Sequence, residues 1–334
     1  MKSGPGRILD SLRRASGQTC SGEAISAELG VSRAQVWKHV ETLRHRGYGI
    51  HAEPGDGYRL ESIPDRLYPD EIHAGLATRW LARTIHYRES TESTNRDAVE
   101  LARDGAEHGT AVIAEGQTAG RGRLGRSFHS PPYLNLYTSI VLRPRIDTSV
   151  APTWILAAAV AVAETVGEFV PDPGSVAIKW PNDVQLDDLK TSGILMELAA
   201  EATQVDYLVL GIGVNLNVDP ATFPEEFRAR ATSLSHHIGR PVDRTEFTRR
   251  LYGKLETVFD ECSEKGFHAV RPRFDAKFTM QGRPVRVMQQ DGDARDGIAL
   301  GIDANGALRL RTASGDEVPI LAGDVTIAKD GGPA

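Results

Sequence analysis

The sequence predicts an α+β chain in three folded parts: an N-terminal winged helix-turn-helix, a central mixed α/β domain whose β-sheet is backed by helices, and a small C-terminal β-barrel. Three observations carry this. Residues 1–50 hold eight lysines and arginines against four acids in a 334-residue chain of formal charge −6, so a basic head precedes a body carrying −10. Two short helix patterns joined by a tight turn are followed at once by a hairpin signal. From Phe278 onward, short extended runs alternate with turn pairs. The expected boundaries are 1–64, 65–276 and 277–334.

The composition, 40% hydrophobic and 25% charged, is that of an ordinary globular protein. The longest apolar run, Trp154 to Ala163, is too short to span a bilayer and suits a buried helix. The N-terminus lacks an apolar export segment. Cys20 and Cys262 lie far apart without CxxC or Cys/His spacing, which argues against a disulfide or metal site and for a reducing cytoplasm. The ten histidines show no metal spacing either, and His236-His237 reads as a surface pair.

In the head, Ile8, Leu9 and Leu12 mark a first helix. "SGEAISAELG" gives a second, with Ser21 as N-cap and Gly30 as its stop. "VSRAQVWKHVETLRHRG" gives a third: Ser32 with Gln35 forms a capping-box pattern, Val36, Val40 and Leu43 share one face, and Gly47 ends it. Two extended runs around Pro54-Gly55-Asp56-Gly57 then supply the wing. In a helix-turn-helix the start of the second helix of the pair meets base edges, and Arg or Lys suits guanine while Gln suits adenine. Ser32, Arg33, Gln35 and Lys38 are therefore the expected DNA contacts of that helix. Arg44, Arg46 and the wing's Arg59 are better placed for phosphates. The competing reading is a winged helix that docks protein or is idle.

Residues 63–92 form a connector broken at Pro64 and Pro69. "ESTNRDAVELARDG" reads as a helix opened by Ser93/Thr94 and closed by Gly105, and "GTAVIAEGQTA" as a strand running into a glycine-arginine loop. Gly120, Gly122 and Gly125 spell the dinucleotide fingerprint G-x-G-x-x-G, which requires a helix immediately afterwards. Pro131-Pro132 forbid one, and Leu134–Leu142 looks like another strand, so the match is accidental. An RGG-type nucleic-acid arm fits poorly, because the run is short and unrepeated. What remains is a mobile loop that folds over a small anion and supplies guanidinium groups from Arg121, Arg123 and Arg126.

Further on, Val176, Ile178 and Trp180 alternate as a strand, Pro181-Asn182-Asp183 breaks it, and Asp187-Asp188 turns the chain back. Lys179, Asn182, Asp183 and Lys190 thus gather near one hairpin end. "YLVLGIGVNLNV" is a buried strand running into Gly211, Gly213, Asn215 and Asn217, small residues that let backbone approach a ligand. "RTEFTRRLYGKLETVFDECSEKG" is amphipathic, with Phe247, Leu251, Leu255, Val258 and Cys262 on one face, so Cys262 is a core residue. The C-terminal turns fall at Asp291-Gly292, Asn305-Gly306 and Ser314-Gly315.

Taken together, STN (93–95), GQTAGRGRLGR (116–126), KWPNDV (179–184), LKTSGIL (189–195) and GIGVNLN (211–217) resemble the biotin–protein ligases. With the winged helix in front, the chain resembles the bifunctional type that is also the biotin-operon repressor, from about residue 7 to the end. The resemblance implies an SH3-like C-terminal barrel and a two-step reaction. Biotin and MgATP give biotinyl-5′-adenylate and pyrophosphate, and a lysine of a biotin carboxyl carrier domain then takes the biotinyl group. It further implies that adenylate acts as corepressor of a homodimer bound to operator DNA, with no membrane partner. Magnesium would arrive with ATP rather than in a protein cage.

Residue by residue, the resemblance implies that Ser93, Thr94, Asn95 and Gln117 bind the biotin ring system. Gly120, Arg121, Gly122 and Arg123 belong to the loop closing over biotin and adenylate. Lys190 bridges biotin carboxylate and phosphate, Asn182 lies at the nucleotide, and Asp183 orients or deprotonates the acceptor lysine. Gly193, Gly211, Gly213 and Asn215 line the pocket. Lys190, Asp183 and Arg123 form the expected catalytic set. Phe128 stands where the family often carries a Trp that packs on adenine. "SPPYLNLY" is bulkier than the family's version, and "DVTIAKD" lacks an expected ATP-binding arginine. Alternatives left open are a biotin-sensing repressor with a decayed ligase, a ligase with an idle head, and a lipoate-attaching enzyme.

Overall fold

The computed structural model describes residues 3–53, 56–289 and 293–327. The chain divides into two compact units, Met1–Gly75 and Leu76–Ala334.

In the first unit, α1 (Gly4–Arg14) is capped by Ser3, α2 (Gly22–Leu29) by Ser21, and α3 (Arg33–His45) by Ser32. Each hydroxyl accepts one of the helix's orphan N–H groups. Gly30 ends α2 at φ 65°, a left-handed position that costs glycine nothing. The three helices close on Ile8, Leu9, Leu12, Ile25, Val36, Val40 and Leu43, with Tyr48 and Ile50 from the following strand. That strand, β1 (Gly49–Glu53), pairs antiparallel with β2 (Gly57–Ser62), giving the wing. Pro54 and Gly55 of the expected wing turn lie outside the described residues. A short α4 (Pro69–His73) adds to the unit: the Tyr48 hydroxyl donates to Glu71, and Arg13 pairs with the same carboxylate at 2.5 Å. Burial first, then the bond to Glu71, pushes the Tyr48 phenol far above its ordinary range.

The second unit is built on a seven-stranded mixed sheet. Its strands and helices follow in the order β3 (Ile85–Thr91), α5 (Thr94–Arg103), β4 (Ala111–Gln117), β5 (Leu136–Leu142), α6 (Pro152–Phe169), β6 (Val176–Lys179), β7 (Asp183–Leu186), β8 (Leu189–Glu201) and β9 (Gln204–Val214). The spatial order is β3-β4-β5-β9-β8-β7-β6, with β3 and β4 parallel and every other pair antiparallel. Helix α5 is the β3–β4 crossover, and its Ala98 and Ala102 pack on Val112, Val141 and Val209. The Ala-rich α6 is buried along most of its length and is a core helix of the unit.

Short helices α7 (Glu225–Arg228) and α8 (Leu234–Ile238) precede the long α9 (Arg244–Lys265), which packs on α6 through stacked Trp154 and Phe259. In α9 Phe247, Leu251, Leu255, Val258 and Cys262 are all buried, as their spacing implies. At its start Arg244, fully buried, pairs with equally buried Glu115 of β4 at 2.8 Å. In α8 His236 is exposed, while His237 is half-buried beside Asp187, 3.3 Å away.

After α10 (Arg271–Asp275) come β10 (Pro284–Met288), β11 (Ala294–Ile302), β12 (Leu308–Arg311), β13 (Glu317–Ile320) and β14 (Asp324–Ile327), a small antiparallel sheet ordered β13-β12-β11-β10-β14. The expected turn residues Asp291 and Gly292 lie outside the described residues, whereas Gly306 and Gly315 turn at φ 84° and 92°. The Trp180 Nε1 donates to the Gly306 carbonyl of the β11–β12 turn at 2.9 Å, fastening this sheet to the central one, and Ile178 N donates to the Lys277 carbonyl just after α10 at 2.8 Å.

Candidate active site

One cleft of about 1350 Å³ opens on the central sheet. Five main pieces of chain build it: the start of α5, the glycine-arginine loop, the β7–β8 hairpin with the glycines of β8 and β9, the segment 226–231, and the β13–β14 connection with β14.

At the α5 end, Ser93, Thr94 and Asn95 are all buried although polar, which obliges them to find hydrogen-bond partners. Gln117 Oε1 accepts from Thr94 N at 2.9 Å and from Thr94 Oγ1 at 3.2 Å, while its Nε2 donates to Ser130 Oγ. Asn95 is held from both sides: Oδ1 accepts from Ser139 Oγ at 2.9 Å and Nδ2 donates to Glu197 Oε2 at 2.8 Å. Gly211 sits directly against it, for a Cβ there would lie 2.1 Å from Asn95 Oδ1. The Ser93 hydroxyl does not cap α5. The helix therefore presents its positive N-terminal end in the cleft, among fixed donors and acceptors suited to a polar heterocycle.

At the other end, β7 and β8 turn on Asp187 (φ 46°) and Asp188 (φ 64°), the paired left-handed geometry of a two-residue hairpin. A register shift between Val184 and Gln185 sets the flanking strands. The hairpin brings Lys190 Nζ to 2.6 Å from Asp183 Oδ1. A Cβ on Gly193 would meet Lys190 Nζ at 3.1 Å, so the bare glycine makes room for the ammonium. Asn182 donates to the Ile194 carbonyl and accepts from Arg123. The Trp180–Pro181 peptide preceding it is cis.

The glycine-arginine loop is more closely held than its composition suggests. Gly122 N donates to the Arg126 carbonyl at 2.7 Å, and Phe128 N to the Gly120 carbonyl at 2.8 Å, closing a tight excursion. Its three arginines have separate environments. Arg123 donates to Asn182 Oδ1 and to the Gly323 carbonyl, both at 3.3 Å, and burial lowers its pKa against the opposing pull of Asp183 and Asp324. Arg126 pairs with Asp324 at 2.6 Å. Burial alone would raise the Asp324 carboxyl, but the Arg126 bond and nearby cations hold it below its ordinary range. Arg121 lines the cleft and has no ion-pair partner among the described residues. The loop expected to be mobile is thus pinned to the C-terminal sheet, because two of its three charges find partners there.

Two expected pocket residues lie elsewhere. Asn215 faces away, its Nδ2 donating to the Thr232 carbonyl at 3.1 Å. Gly120 does not line the cleft. Its bareness lets the two stems of the loop meet, since a Cβ would lie 2.5 Å from the Phe128 carbonyl oxygen. The Phe128 ring lies over the floor, close enough that a Cβ on Gly213 would be 2.7 Å from it, with its edge contact to Tyr137 at 6.4 Å. Residues that sequence reasoning missed are Ser139, Glu197 and Asp324, together with Arg230 and Arg283, which also line the cleft. Ser139 left a trace, one of two adjacent buried hydroxyls, with Thr138, inside the strand LYTSIVL. Asp324 left none.

On the head, the structure redistributes the expected DNA contacts. Ser32 and Gln35 engage each other in a reciprocal capping box, so Gln35 is spent on the helix start. Arg33 pairs with Glu23, and Arg59 with Glu61, at exposed positions. Lys38 is exposed and has no ion-pair partner among the described residues. Arg44 and Arg46, read as phosphate contacts, are turned inward. Arg44 donates to the Ile50 carbonyl and pairs with Glu41, while Arg46 lies over Tyr68 near Asp70.

Comparison with known proteins agrees along the chain. A profile of the biotin/lipoate A/B protein ligase family matches residues 87–215, one of an HTH domain residues 7–59, and one of the biotin protein ligase C terminal domain residues 281–327. The bifunctional ligase/repressor BirA of Bacillus subtilis is 37% identical over 92% of this chain and 94% of its own length. Its namesake from Escherichia coli is 30% identical over 94% of both. Among solved structures, the biotin protein ligase from Aquifex aeolicus in complex with biotin and ATP superposes with a TM-score of 0.63 at 28% identity, covering 74% of this chain and all of that one.

Proposed function

The chain belongs to the biotin–protein ligases of the bifunctional ligase/repressor type, and on that premise we propose how its residues divide the work. The activity is ATP-dependent ligation in two steps. A biotin carboxylate oxygen attacks the α-phosphorus of ATP and pyrophosphate leaves, giving biotinyl-5′-AMP. The amine of a lysine on a biotin carboxyl carrier domain then attacks the acyl carbon, AMP leaves, and an amide remains.

In our reading, Ser93, Thr94, Asn95 and Gln117 hold the fused ring of biotin. The support is a buried polar network at a helix N-terminus, in which Thr94, Asn95 and Gln117 are held by hydrogen bonds before ligand arrives. Lys190, Arg121 and Arg123 meet the charges of carboxylate and α-phosphate, whose mutual repulsion is the first obstacle to attack. Gly193, Gly211 and Gly213 form the floor, Phe128 covers it, and Asn182 sits at the nucleotide end. Asp183 accepts the proton an acceptor ammonium must lose before it attacks. Its place 2.6 Å from Lys190 puts base and electrophile-stabilising cation on one hairpin, and that observation carries the assignment. Closure of the loop against Asp324 and Gly323 keeps water from the adenylate. Magnesium enters with the nucleotide, whose phosphate charge it screens.

The helix-turn-helix head gives the same chain an operator-binding function. We further propose a homodimer favoured by adenylate, since two linked heads on paired half-sites multiply affinity and a ligand preferring the dimer makes repression biotin-responsive. A cytoplasmic location fits both partners.

The test is biotin-dependent exchange of labelled pyrophosphate into ATP. Exchange that requires biotin and falls by at least about 10²-fold in Lys190→Ala is expected. Biotin binding without exchange in the wild type would reduce the central unit to a sensor.

A further inference from the structure

The most exposed tryptophan of the molecule lies on α3. Trp37 is 55% exposed, whereas Trp154 and Trp180 are buried and Trp80 is half-buried and bonded to Asp260. A large ring left in water costs free energy, and nothing in the head's core explains it, for Val36, Val40 and Leu43 already supply the buried face of α3. At 100° per residue, Arg33, Trp37 and Glu41 form one row along the helix, with Ala34 and Lys38 in the next row. Both rows start at the N-terminal end, the part of a second helix that meets base edges.

Around Trp37 the polar readers are already committed. Gln35 closes the capping box, and Arg33 and Arg44 pair with Glu23 and Glu41. Among the described residues, the exposed groups on this end of α3 without a hydrogen-bond or ion-pair partner are the Lys38 ammonium, the Ala34 methyl and the Trp37 indole. The first suits guanine or phosphate. The other two suit the single apolar feature of the major groove, the thymine C5-methyl.

We propose that Trp37 is a specificity-determining residue of operator recognition, packing its indole on a thymine methyl in each half-site. This rests on the repressor reading of the head, and the experiment separates the two. A pool of random duplexes is enriched on the full-length protein with biotin and ATP, and each thymine of the enriched half-site is replaced in turn by deoxyuracil, which lacks only the methyl. Wild-type protein should lose about three- to five-fold in affinity at one thymine per half-site, the scale of one buried methyl. Trp37→Ala, with far-UV circular dichroism and the thermal unfolding of the head unchanged as proof of folding, should bind thymine and deoxyuracil duplexes alike. Enriched duplexes with no methyl-sensitive position, or a Trp37→Ala protein that keeps the sensitivity, would overturn the proposal. Unchanged DNA affinity with altered sedimentation in Trp37→Ala would assign the ring to a protein contact and overturn it equally. Failure to enrich any duplex would instead sink the repressor reading, and Trp37's role with it.

Discussion

Gly211 offers the sharpest test of how the biotin end of the cleft is held. In Gly211→Ala the new Cβ would stand 2.1 Å from Asn95 Oδ1 and 2.9 Å from its Cγ. Ordinary contact begins at 3.4 Å, so the amide must retreat by more than an ångström. It has nowhere to retreat without loss, because Oδ1 is bonded to Ser139 and Nδ2 to Glu197. Breaking a neutral hydrogen bond costs about 0.5–1.5 kcal/mol and one to a carboxylate about 1.5–3, giving roughly 2–4 kcal/mol. Urea unfolding should show that loss. Calorimetric titration with biotin should show a rise in Kd of about 10- to 100-fold, since Asn95 no longer faces the ligand correctly. The decisive measurement is the double variant. In an Asn95→Ala background the methyl has no amide to strike and meets only the Ser139 hydroxyl, at 3.3 Å, so Gly211→Ala should cost far less in stability than in the wild type while biotin binding stays weak. An equal stability cost in both backgrounds would refute the reasoning, and would mean that the backbone of β9 rather than the Asn95 amide opposes the methyl.

Two other outcomes follow from the charges and the thiols. Asp324, whose folded-state carboxyl is held below its ordinary range beside Arg126, stabilises the loop-to-sheet tie at neutral pH. That contribution is complete above the unfolded carboxyl's pKa and disappears as pH falls through the lower folded value. The stability gap between wild type and Asp324→Asn should therefore be constant from about pH 5 upward and shrink below about pH 4; a gap that widens on acidification would contradict the pairing. Burial pushes the Cys262 thiol up to about 12. One thiol per chain should accordingly react with a disulfide reagent at pH 8 in the native protein, and two in urea. Two rapid reactions in the native state would place Cys262 at the surface.

What was legible in the sequence was what is local. The Asp187-Asp188 turn, the meeting of Lys190 with Asp183 and the amphipathic face of α9 depend on residues within one or two elements, where spacing and turn chemistry decide the geometry. The three-part order was legible for the same reason. Side chains whose partners are brought up by the folded backbone were harder to read. Arg44 and Arg46 read as phosphate contacts, yet in the folded head Arg44 engages the Ile50 carbonyl and Glu41, and Arg46 lies over Tyr68 near Asp70. Asn215 looked like a pocket residue because it follows the glycines at their spacing, yet β9 ends at Val214 and beyond it the Asn215 amide turns to the Thr232 carbonyl. Glu197, 102 residues from Asn95, could not be found by any local pattern.

The glycine-arginine loop shows how the two kinds of information combine. Its sequence says only that positive charge is carried on a chain able to bend sharply. The fold then divides that charge. Arg126 is committed to the C-terminal sheet through Asp324, and Arg123 is shared between Gly323 and Asn182, at the boundary of sheet and cleft. Of the three, Arg121 lines the cleft with no ion-pair partner among the described residues. A loop with three free guanidinium groups would repel itself and close only when an anion neutralised it. With one arginine anchored and one shared, much of the closed geometry is set before the ligand binds, so less binding free energy is spent on ordering the loop. The C-terminal sheet is then part of the active site's closure, although no residue from it was in the expected catalytic set. The G-x-G-x-x-G glycines serve this geometry rather than a dinucleotide: Gly125 turns at φ 72° and Gly120 admits the returning strand.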